Sequence, residues 1–370
     1  MARSLTFAFP GDINTLTGGY LYDKRVMAEL ANLGWQVDAL SLDDRFPWVC
    51  DSTKERTARR LSQVDTNHYL VVDGLALGVM GHYAELIKRN RPFTALVHHP
   101  LALESGLDRQ TAKAWQQSEQ AALAQASHII VTSNLTRLTL IDQFGVAASK
   151  VTVIMPGVDI PLRTPHRATD VPSSTNTNTV ELLSVGSLVP RKGFDILVQA
   201  LAQIKQLDWH LSVIGDDQRA PDTASQIRNL IADCGLVGRI DLLGAQPNDV
   251  LTEHYQAADV FVLASRYEGY GMAYAEAMTW GLPVIGTQAG AARDTLAWPG
   301  AIAVAVEDQQ ALANALERVV SEPALRQQMR QAALEHAQRL LTWGQVGEQF
   351  ASALISQISN RSASHRQADS

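Results

Sequence analysis

The sequence has little cysteine and no long uninterrupted apolar segment. Its 370 residues include two cysteines, Cys50 and Cys234, which stand far apart and outside any Cys-x-x-Cys arrangement. This argues against a disulfide framework and against a cysteine zinc site. No apolar run approaches the roughly 20 residues that a membrane-spanning helix needs, and the run at 5–9 is too short for a signal peptide and predicts a strand. We therefore expect a chain that does not cross a membrane and that resides in the cytoplasm.

Positive charge is also in short supply. Acidic side chains outnumber Lys and Arg by 38 to 31, and the formal net charge is −7. A nucleic-acid-binding protein needs an excess of cations to neutralise phosphates, so nucleic acid is not an expected partner. No Asp-x-Asp triplet occurs, and no His, Cys and carboxylate residues stand at metal-ligand spacing. We therefore expect neither a metal site nor a cofactor.

Short apolar runs alternate with longer segments of helical spacing, which is typical of parallel sheets covered by helices. A chain of 370 residues exceeds what one hydrophobic core usually sustains, so two α/β domains are predicted. The predicted strands cover residues 5–9, 37–42, 68–73, 94–98, 128–132 and 151–154, and then 180–185, 210–214, 240–243, 260–264, 283–286 and 301–304.

The change in composition between the two series predicts the domain boundaries. Pro, Ser, Thr and Asn dominate residues 161–179, which we interpret as a linker between a doubly wound domain at 1–160 and another at 180–340. Residues 325–358 read as closing helices with a break near 342–344. The polar end, 359–370, has no apolar face to bury and is predicted to be disordered.

The segment richest in chemical groups is residues 264–285, ASRYEGYGMAYAEAMTWGLPVI. A buried strand runs into a loop with Gly269 and Gly271, and then into a helix over 272–278. Such a turn brings free backbone amides and the positive end of a helix to a ligand, which favours phosphate or hydroxyl oxygens. Glu268 precedes the helix and Glu276 lies in its second turn. Their carboxylates can accept hydrogen bonds from vicinal hydroxyls, although isolated glutamates are more often a helix cap or a solvated side chain.

A second candidate segment is VGSLVPRKGFD at 185–195, where the first strand of the second domain ends. Gly186 and Gly193 bracket a loop that carries Arg191 and Lys192. A planar guanidinium beside a mobile ammonium can neutralise a diphosphate leaving group, although a bare Arg-Lys pair is more often a solvated turn.

Two weaker signals lie in the first domain. Gly18 and Gly19 precede a predicted helix at 21–33 and can form either a phosphate-binding turn or an ordinary tight turn. His98 and His99 stand at the end of a predicted strand, where open α/β sheets place ligand-binding residues, and we favour His98.

These motifs resemble those of the retaining glycosyltransferases of family 4. The hallmark of that family is a Glu, seven residues, Glu segment with glycines at the positions of Gly269 and Gly271, followed by a Gly-x-Pro-Val strand that matches residues 281–284. The family's Gly-x-Leu-x-x-(Arg/Lys)-Lys-Gly loop is similar to residues 186–193. The sequence departs from the family over residues 155–157, which lack the usual Asn, and over 289–294, where the second Gly and the acid differ from those of a Gly-Gly-x-x-Glu segment. This puts the contacts of the 289–294 loop in doubt.

The resemblance implies a GT-B architecture, in which two doubly wound Rossmann-like domains face a central cleft and the last helix, here near 343–358, returns to the first domain. It implies transfer of a hexosyl unit from a UDP- or GDP-linked sugar to an acceptor hydroxyl with retention of configuration. It also gives roles to eleven positions. The implied catalytic residues are Arg191, Lys192, Glu268 and His98, and the implied donor-binding residues are Gly18, Gly19, Gly186, Gly269, Tyr270, Gly271 and Glu276.

Three alternatives to a glycosyltransferase stay open at this point. A glycosyl phosphorylase or a nucleotide-sugar epimerase can share the architecture, and a relative without turnover can share the binding site.

The acceptor is not identified by the resemblance and can be a glycan, a lipid-linked sugar or a small molecule. The resemblance is thinnest over residues 43–66 and 101–116, where acceptor specificity is expected. The basic cluster Lys54, Arg56, Arg59 and Arg60 suggests peripheral membrane contact, although such a run is more often a solvated helix face.

Overall fold

A computed structural model describes residues 3–104, 106–161 and 179–368, with side chains as far as 356. It divides into two compact units, Met1–Gly157 with Leu341–Ser370, and Val158–Leu340. Most of the linker expected at 161–179 lies outside the described residues.

The first unit contains a parallel six-stranded sheet with flanking helices. Its strands, in the order β2-β1-β3-β4-β5-β6, are β1 (Ser4–Pro10), β2 (Gln36–Leu42), β3 (His68–Asp73), β4 (Thr94–Val97), β5 (His128–Val131) and β6 (Val151–Val153). Its helices are α1 (Gly18–Asn32), α2 (Asp51–Ser62), α3 (Gly74–Leu77), α4 (Ala84–Asn90), α5 (Arg109–Gln125) and α6 (Asn134–Phe144), and the final helix joins them below.

The second unit repeats the design with a different strand order. Its parallel strands run β12-β11-β10-β7-β8-β9 and are β7 (Val180–Val185), β8 (Trp209–Ile214), β9 (Ile240–Leu242), β10 (Val260–Leu263), β11 (Val284–Thr287) and β12 (Ala301–Val304). Its helices are α7 (Phe194–Ala202), α8 (Pro221–Asp233), α9 (Asn248–Ala257), α10 (Met272–Thr279), α11 (Ala292–Thr295), α12 (Gln309–Ser321) and α13 (Pro323–Ala337). Numbered within the unit, this is the Rossmann order 3-2-1-4-5-6, whose direction reverses between β7 and β10.

All twelve predicted strands are present, with ends that agree or differ by one residue. The central strands are continuous apolar runs because a parallel sheet is covered on both faces, and every residue of β10 is buried. Residues 78–89, whose apolar spacing is that of a helix, do not form a single one. A short 3-10 turn occupies Gly81–Tyr83, where Gly81 has a φ of 48°, and the α-helix begins only at Ala84.

The last helix, α14 (Trp343–Ala368), follows a break at 338–342 and belongs to the first unit. Phe350 stacks on Phe7 of β1 with ring centroids 6.5 Å apart. Gly347 lies so close to α1 that a Cβ there would come within 2.5 Å of the Cβ of Glu29. The backbone is helical to Ala368, where composition predicts a disordered tail from 359. The sequence of that tail has neither Gly nor Pro to end a helix that is already formed.

Candidate active site

The second unit places its polar residues at the point where its strand order reverses. The loop at 186–193 follows β7 and the loop at 264–271 follows β10, and these two strands are neighbours in the sheet. The carboxyl ends of parallel strands share one edge of the sheet, and ligands of such folds bind where the order reverses. Two segments that lie about 80 residues apart in sequence therefore meet by topology.

A three-residue ion cluster joins the two loops. The Lys192 ammonium nitrogen lies 2.6 Å from Oε1 of Glu268, and a guanidinium nitrogen of Arg191 lies 3.6 Å from Oε2. Ser265 donates a hydrogen bond of 2.6 Å to the same Oε1. Arg191 also donates to the carbonyl oxygen of Tyr267 at 2.8 Å. The cluster carries two positive charges and one negative charge, so it retains a net attraction for an anion.

Burial and charge act in opposite directions on the cluster. Glu268 is only 6% exposed. Burial raises the pKa of its carboxyl group. The positive charges of Lys192 and Arg191 act in the opposite direction, and the resulting pKa lies below its ordinary value. Burial, together with the charge of Arg191, lowers the pKa of Lys192 below its ordinary value, although Glu268 acts to raise it. The ion pair is therefore held together against a desolvation cost, which is typical of a site rather than of a surface contact.

Two glycines make this approach of the loops possible. Gly193 has a φ of 64°, and a Cβ there would lie 2.0 Å from the carbonyl oxygen of Ala264. A Cβ at Gly186 would lie 3.1 Å from Cε of Lys192. The motif glycines thus leave the space in which the lysine side chain crosses to Glu268.

Arg266 fastens the cationic loop and was given no role by the sequence reasoning. Its guanidinium donates to the carbonyl oxygen of Pro190 at 2.6 Å and makes a two-pronged contact with Asp195 at 2.9 and 2.7 Å. It also contacts Glu307 at 2.5 Å, and its backbone amide donates to the Arg191 carbonyl oxygen at 2.7 Å. Arg266 and Ser265 both stand inside the segment quoted above, but the sequence does not reveal that their partners lie in the other loop.

Glu276 lies on α10, with its carboxylate next to a different group. The Tyr255 hydroxyl donates to Oε2 of Glu276 at 3.1 Å. Burial, with the nearby charge of Glu276, raises the pKa of Tyr255 well above its ordinary value, so the phenol stays a donor. Tyr255 also stacks on Trp280, with centroids 6.1 Å apart. Tyr255 is a second residue that sequence reasoning missed.

The turn between Glu268 and α10 has the predicted form. Gly271 precedes the helix with a φ of 93°, a conformation that favours glycine. Burial raises the pKa of Tyr270 to about 12, and its carbonyl oxygen accepts a hydrogen bond of 2.5 Å from Thr295. Gly269 is partly buried between them. The backbone of Glu268 pairs with that of Gly290, so the loop that departs from the family pattern packs directly behind the site.

In the first unit the glycine pair lies in a helix rather than in a loop, which corrects the predicted start of that helix. Helix α1 begins at Gly18, and Thr17 caps it by accepting a hydrogen bond from the Tyr20 amide at 3.2 Å. Gly19 packs against a histidine ring, since a Cβ there would lie 3.3 Å from Cδ2 of His98. Of the two histidines, His98 is the one that the structure brings to the glycine pair.

His98 meets two buried carboxyl groups that the sequence did not connect with it. Its Nε2 lies 2.9 Å from Oδ1 of Asp23 and 3.7 Å from Oδ2 of Asp73. Asp23 stands on α1 and Asp73 ends β3, so these residues meet where the strand order of the first sheet turns back. Each is distant from His98 in sequence, and no local spacing signals the contact.

The basic cluster on α2 is tied up in local contacts. Lys54 pairs with Asp51 at 3.1 Å and Arg59 with Glu55 at 2.6 Å. The other two cations donate to neighbouring oxygens, Arg56 to Thr53 at 2.9 Å and Arg60 to the carbonyl of Ser41 at 2.8 Å. Membrane contact of this helix stays a prediction. Among the described residues, none of the helices combines the length and the apolar character needed to span a bilayer.

Comparison with known proteins gives two family matches. The model described as Glycosyltransferase Family 4 matches residues 55–161, and the model described as Glycosyl transferases group 1 matches residues 167–336. The two matches lie side by side and together span most of both units.

Curated relatives and solved structures agree with these matches. D-inositol 3-phosphate glycosyltransferases from Corynebacterium diphtheriae and Stackebrandtia nassauensis are 28% and 26% identical over 70% and 67% of this chain. The alignments cover 64% and 58% of those relatives, which is less than two thirds of their length.

Among solved structures, sucrose-phosphate synthase from Thermosynechococcus elongatus aligns with a TM-score of 0.81 at 21% identity, covering 97% of this chain and all of that one. HepE of Anabaena, solved with UDP and glucose, aligns with a TM-score of 0.73 at 21% identity over 95% of this chain and 99% of its own. The two parallel sheets and the ion cluster at the reversal point agree with both family matches. The chain therefore belongs to the family 4 type of glycosyltransferases and has the GT-B fold.

Proposed function

We propose that this protein transfers a hexosyl unit from a UDP- or GDP-linked sugar to an acceptor hydroxyl, with retention of configuration and without a metal ion. The observation that carries this proposal is the convergence of Arg191 and Lys192 on the buried Glu268 at the reversal point of the second sheet. The pyrophosphate of a nucleotide binds at this point in Rossmann-type sheets. Structures of the related fold with UDP and with UDP-glucose support a nucleotide-sugar donor.

Each cation has a separate task in this proposal. Arg191, whose side chain is 29% exposed, donates hydrogen bonds to the diphosphate oxygens with its planar guanidinium group. The more buried Lys192 adds a second positive charge close to them. Together they stabilise the charge that develops on the leaving diphosphate, which is work that a metal ion does in other transferases. Glu268 keeps both cations in position before the donor arrives, so little reorganisation is needed at the moment of reaction.

The remaining positions recognise the sugar and the ribose. Glu276, oriented by Tyr255, accepts hydrogen bonds from the ribose hydroxyls, and the backbone of Gly186, Gly269, Tyr270 and Gly271 lies against the donor. In the first unit, we assign donor-binding roles to Gly18 and Gly19 and a catalytic role to His98. The leaving phosphate deprotonates the acceptor hydroxyl on the same face of the sugar, so that no protein nucleophile is required. We also propose a cytoplasmic location, consistent with two unpaired thiols.

The first experiment is ligand-dependent thermal stability in magnesium-free buffer with EDTA. The ligands are UDP, GDP, ADP, UDP-glucose, UDP-N-acetylglucosamine and GDP-mannose. A ligand that binds only the native state raises the melting temperature. We expect a shift with one nucleotide family, lost in Arg191→Ala and Glu276→Ala and kept in Arg318→Ala, which removes an exposed cation of α12. No shift with any nucleotide, or equal shifts in all variants, would refute the donor site.

The donor so identified is then used in a transfer assay. Because the curated relatives are named for D-inositol 3-phosphate, that acceptor is tested first, followed by simple glycosides. Proton NMR of the product gives the configuration at the anomeric carbon, and inversion would contradict the proposed mechanism. Turnover that needs orthophosphate would indicate a phosphorylase, and conversion of the donor without an acceptor would indicate an epimerase.

A further inference from the structure

The Asp23, Asp73 and His98 cluster of the first unit is not explained by a role for His98 alone. Asp23 is fully buried and Asp73 is 5% exposed, whereas the His98 side chain retains 23% of its exposure. The three polar atoms lie within 4.8 Å of one another. Two carboxyl groups have thus been placed out of water beside a single imidazole.

The number of charges in this cluster is limited by its burial. Two carboxylates a few ångströms apart in a low-dielectric site cannot both stay ionised beside one cation, so one of them keeps its proton. Asp23 is the closer to Nε2 of His98, at 2.9 Å against 3.7 Å for Asp73. The ionised partner is therefore Asp23, and the protonated one is Asp73.

The hydrogen bonds agree with this distribution. Oδ2 of Asp23 is buried and has no hydrogen-bond donor among the described residues, so it needs the proton that a neutral Asp73 supplies. Oδ1 of Asp73 already accepts a hydrogen bond of 2.6 Å from the Leu75 amide, which leaves the other oxygen to carry the proton. Burial, with the charge of Asp23, raises the pKa of Asp73 to about 8.

The imidazole responds to the same groups. Burial lowers the pKa of His98, but Asp23 and Asp73 raise it by more, so that it lies above its ordinary value. Among the described residues, the Tyr22 ring lies edge-on to the imidazole with centroids 5.3 Å apart, and it is uncharged because burial raises the pKa of Tyr22 well above its ordinary value. Thr132, also uncharged, donates to the backbone carbonyl oxygen of His98 at 3.4 Å and not to the ring. The first turn of α1, at Gly19, opposes a positive charge through the helix dipole, and one ionised carboxylate in contact outweighs it.

We propose that Asp23 and Asp73 are positioning residues that share one proton and hold His98 as an imidazolium ion, so that its Nδ1 donates a hydrogen bond. Within the described ranges Nδ1 of His98 has no hydrogen-bond partner, so this is the edge of the imidazole ring that contacts a ligand. The nature of the ligand rests on the proposed function: an oxygen of the donor sugar or of its diphosphate. His98 is then a hydrogen-bond donor to the substrate and not a general base.

The charge state can be measured without any substrate. Histidine labelled with ¹⁵N in the ring gives separate NMR signatures for the imidazolium and for each neutral tautomer, and His98→Gln identifies the signal. We expect both ring nitrogens of His98 to be protonated at pH 7 in the wild type. Asp73→Asn replaces one neutral group by another and should leave that state unchanged. Asp23→Asn removes the counter-charge and should give a neutral ring at pH 7.

Three results would overturn the proposal: a neutral His98 in the wild type at pH 7, an equal loss of charge in both variants, or a shift of the Nε2 signal on adding Zn²⁺ or Mg²⁺ that EDTA reverses. The last result would make the cluster a metal site. The wild-type spectrum decides the first point even if a variant fails to fold.

A second readout connects the charge to turnover. The activity of Asp23→Asn should decline with rising pH below neutrality, at least tenfold between pH 5.5 and 7.5, while Asp73→Asn follows the wild-type profile over that range. If no nucleotide sugar is turned over, the proposed function fails while the NMR result still stands. A normal pH profile in Asp23→Asn would refute the role of the imidazolium even if the donor site is confirmed.

Discussion

Replacing Lys192 with methionine should destabilise the second unit in a pH-dependent way. The ammonium group contacts Oε1 of Glu268 at 2.6 Å, and the two side chains are 14% and 9% exposed. Removing one partner of a buried ion pair typically costs about 3–5 kcal/mol because the other charge is left unpaired. Arg191 at 3.6 Å and the Ser265 hydroxyl at 2.6 Å remain to hold the carboxylate, so we expect a smaller loss than this, about 2–3 kcal/mol at pH 7.

The pH dependence follows from the carboxyl group. In the wild type the pKa of Glu268 lies below its ordinary value, so its stabilising effect is present above about pH 4.3 and is lost as the pH falls through the lowered pKa. In Lys192→Met burial is no longer opposed by the lysine, and the pKa of Glu268 rises. The variant therefore loses stability as the pH rises through that raised value, and its difference from the wild type should grow from pH 5 to pH 8.

Guanidinium unfolding followed by circular dichroism at several pH values measures this difference. Because a chain of two units can unfold in two steps, hydrogen exchange of peptides from 258–270 assigns the loss to the second unit. The control is Lys205→Met, which changes an exposed lysine and should shift stability by less than about 0.5 kcal/mol. A Lys192→Met variant as stable as this control, or equally destabilised at pH 5 and pH 8, would refute the reasoning.

Three further substitutions test other contacts. Gly193→Ala should cost at least about 3 kcal/mol in chemical unfolding, because its Cβ would lie 2.0 Å from a carbonyl oxygen. The control Gly235→Ala has a similar φ of 66° with open space around it and should cost about 1–2 kcal/mol. Equal losses in the two variants would contradict this explanation. Glu119 is buried and its pKa is raised to about 7, so wild-type stability should fall by up to roughly 3 kcal/mol as the pH rises from 4.5 through 7, and Glu119→Gln should remove that slope. Tyr255→Phe removes the hydrogen-bond donor to Glu276, with a stability loss of about 1 kcal/mol. We expect calorimetry to show nucleotide binding weakened three- to tenfold, and unchanged affinity would contradict the proposed contact between Glu276 and the ribose.

The sheet strands and the two loops that carry the ion cluster could be predicted from sequence because their signals are local. Apolar runs mark β7 and β10, and the glycines at 186, 193 and 271 mark the turns that follow these strands; Gly193 and Gly271 have φ values of 64° and 93°. The family resemblance then places both loops in one site. The position of Glu276 on a helix could be predicted as well, since α10 begins at the predicted residue, Met272.

The partners of these groups could not be predicted, because they depend on which strands are neighbours. Nothing near Arg266 in sequence indicates that its guanidinium closes on Pro190 and Asp195, and nothing near His98 indicates two carboxyl groups from another strand and another helix. The start of α1 was misplaced for a different reason. Gly18 and Gly19 are poor helix formers, and the Thr17 cap helps to offset their low propensity.

The position of α14 also sets the order in which the chain can become folded. Phe350 and Leu354 belong to the buried interior of the first unit, yet they are synthesised after the whole second unit. Domains usually fold in the order in which they are made, from the amino terminus onward. Here the second unit can complete its own core first. The face of the first sheet that Phe350 covers stays exposed until α14 has been synthesised and packs against it.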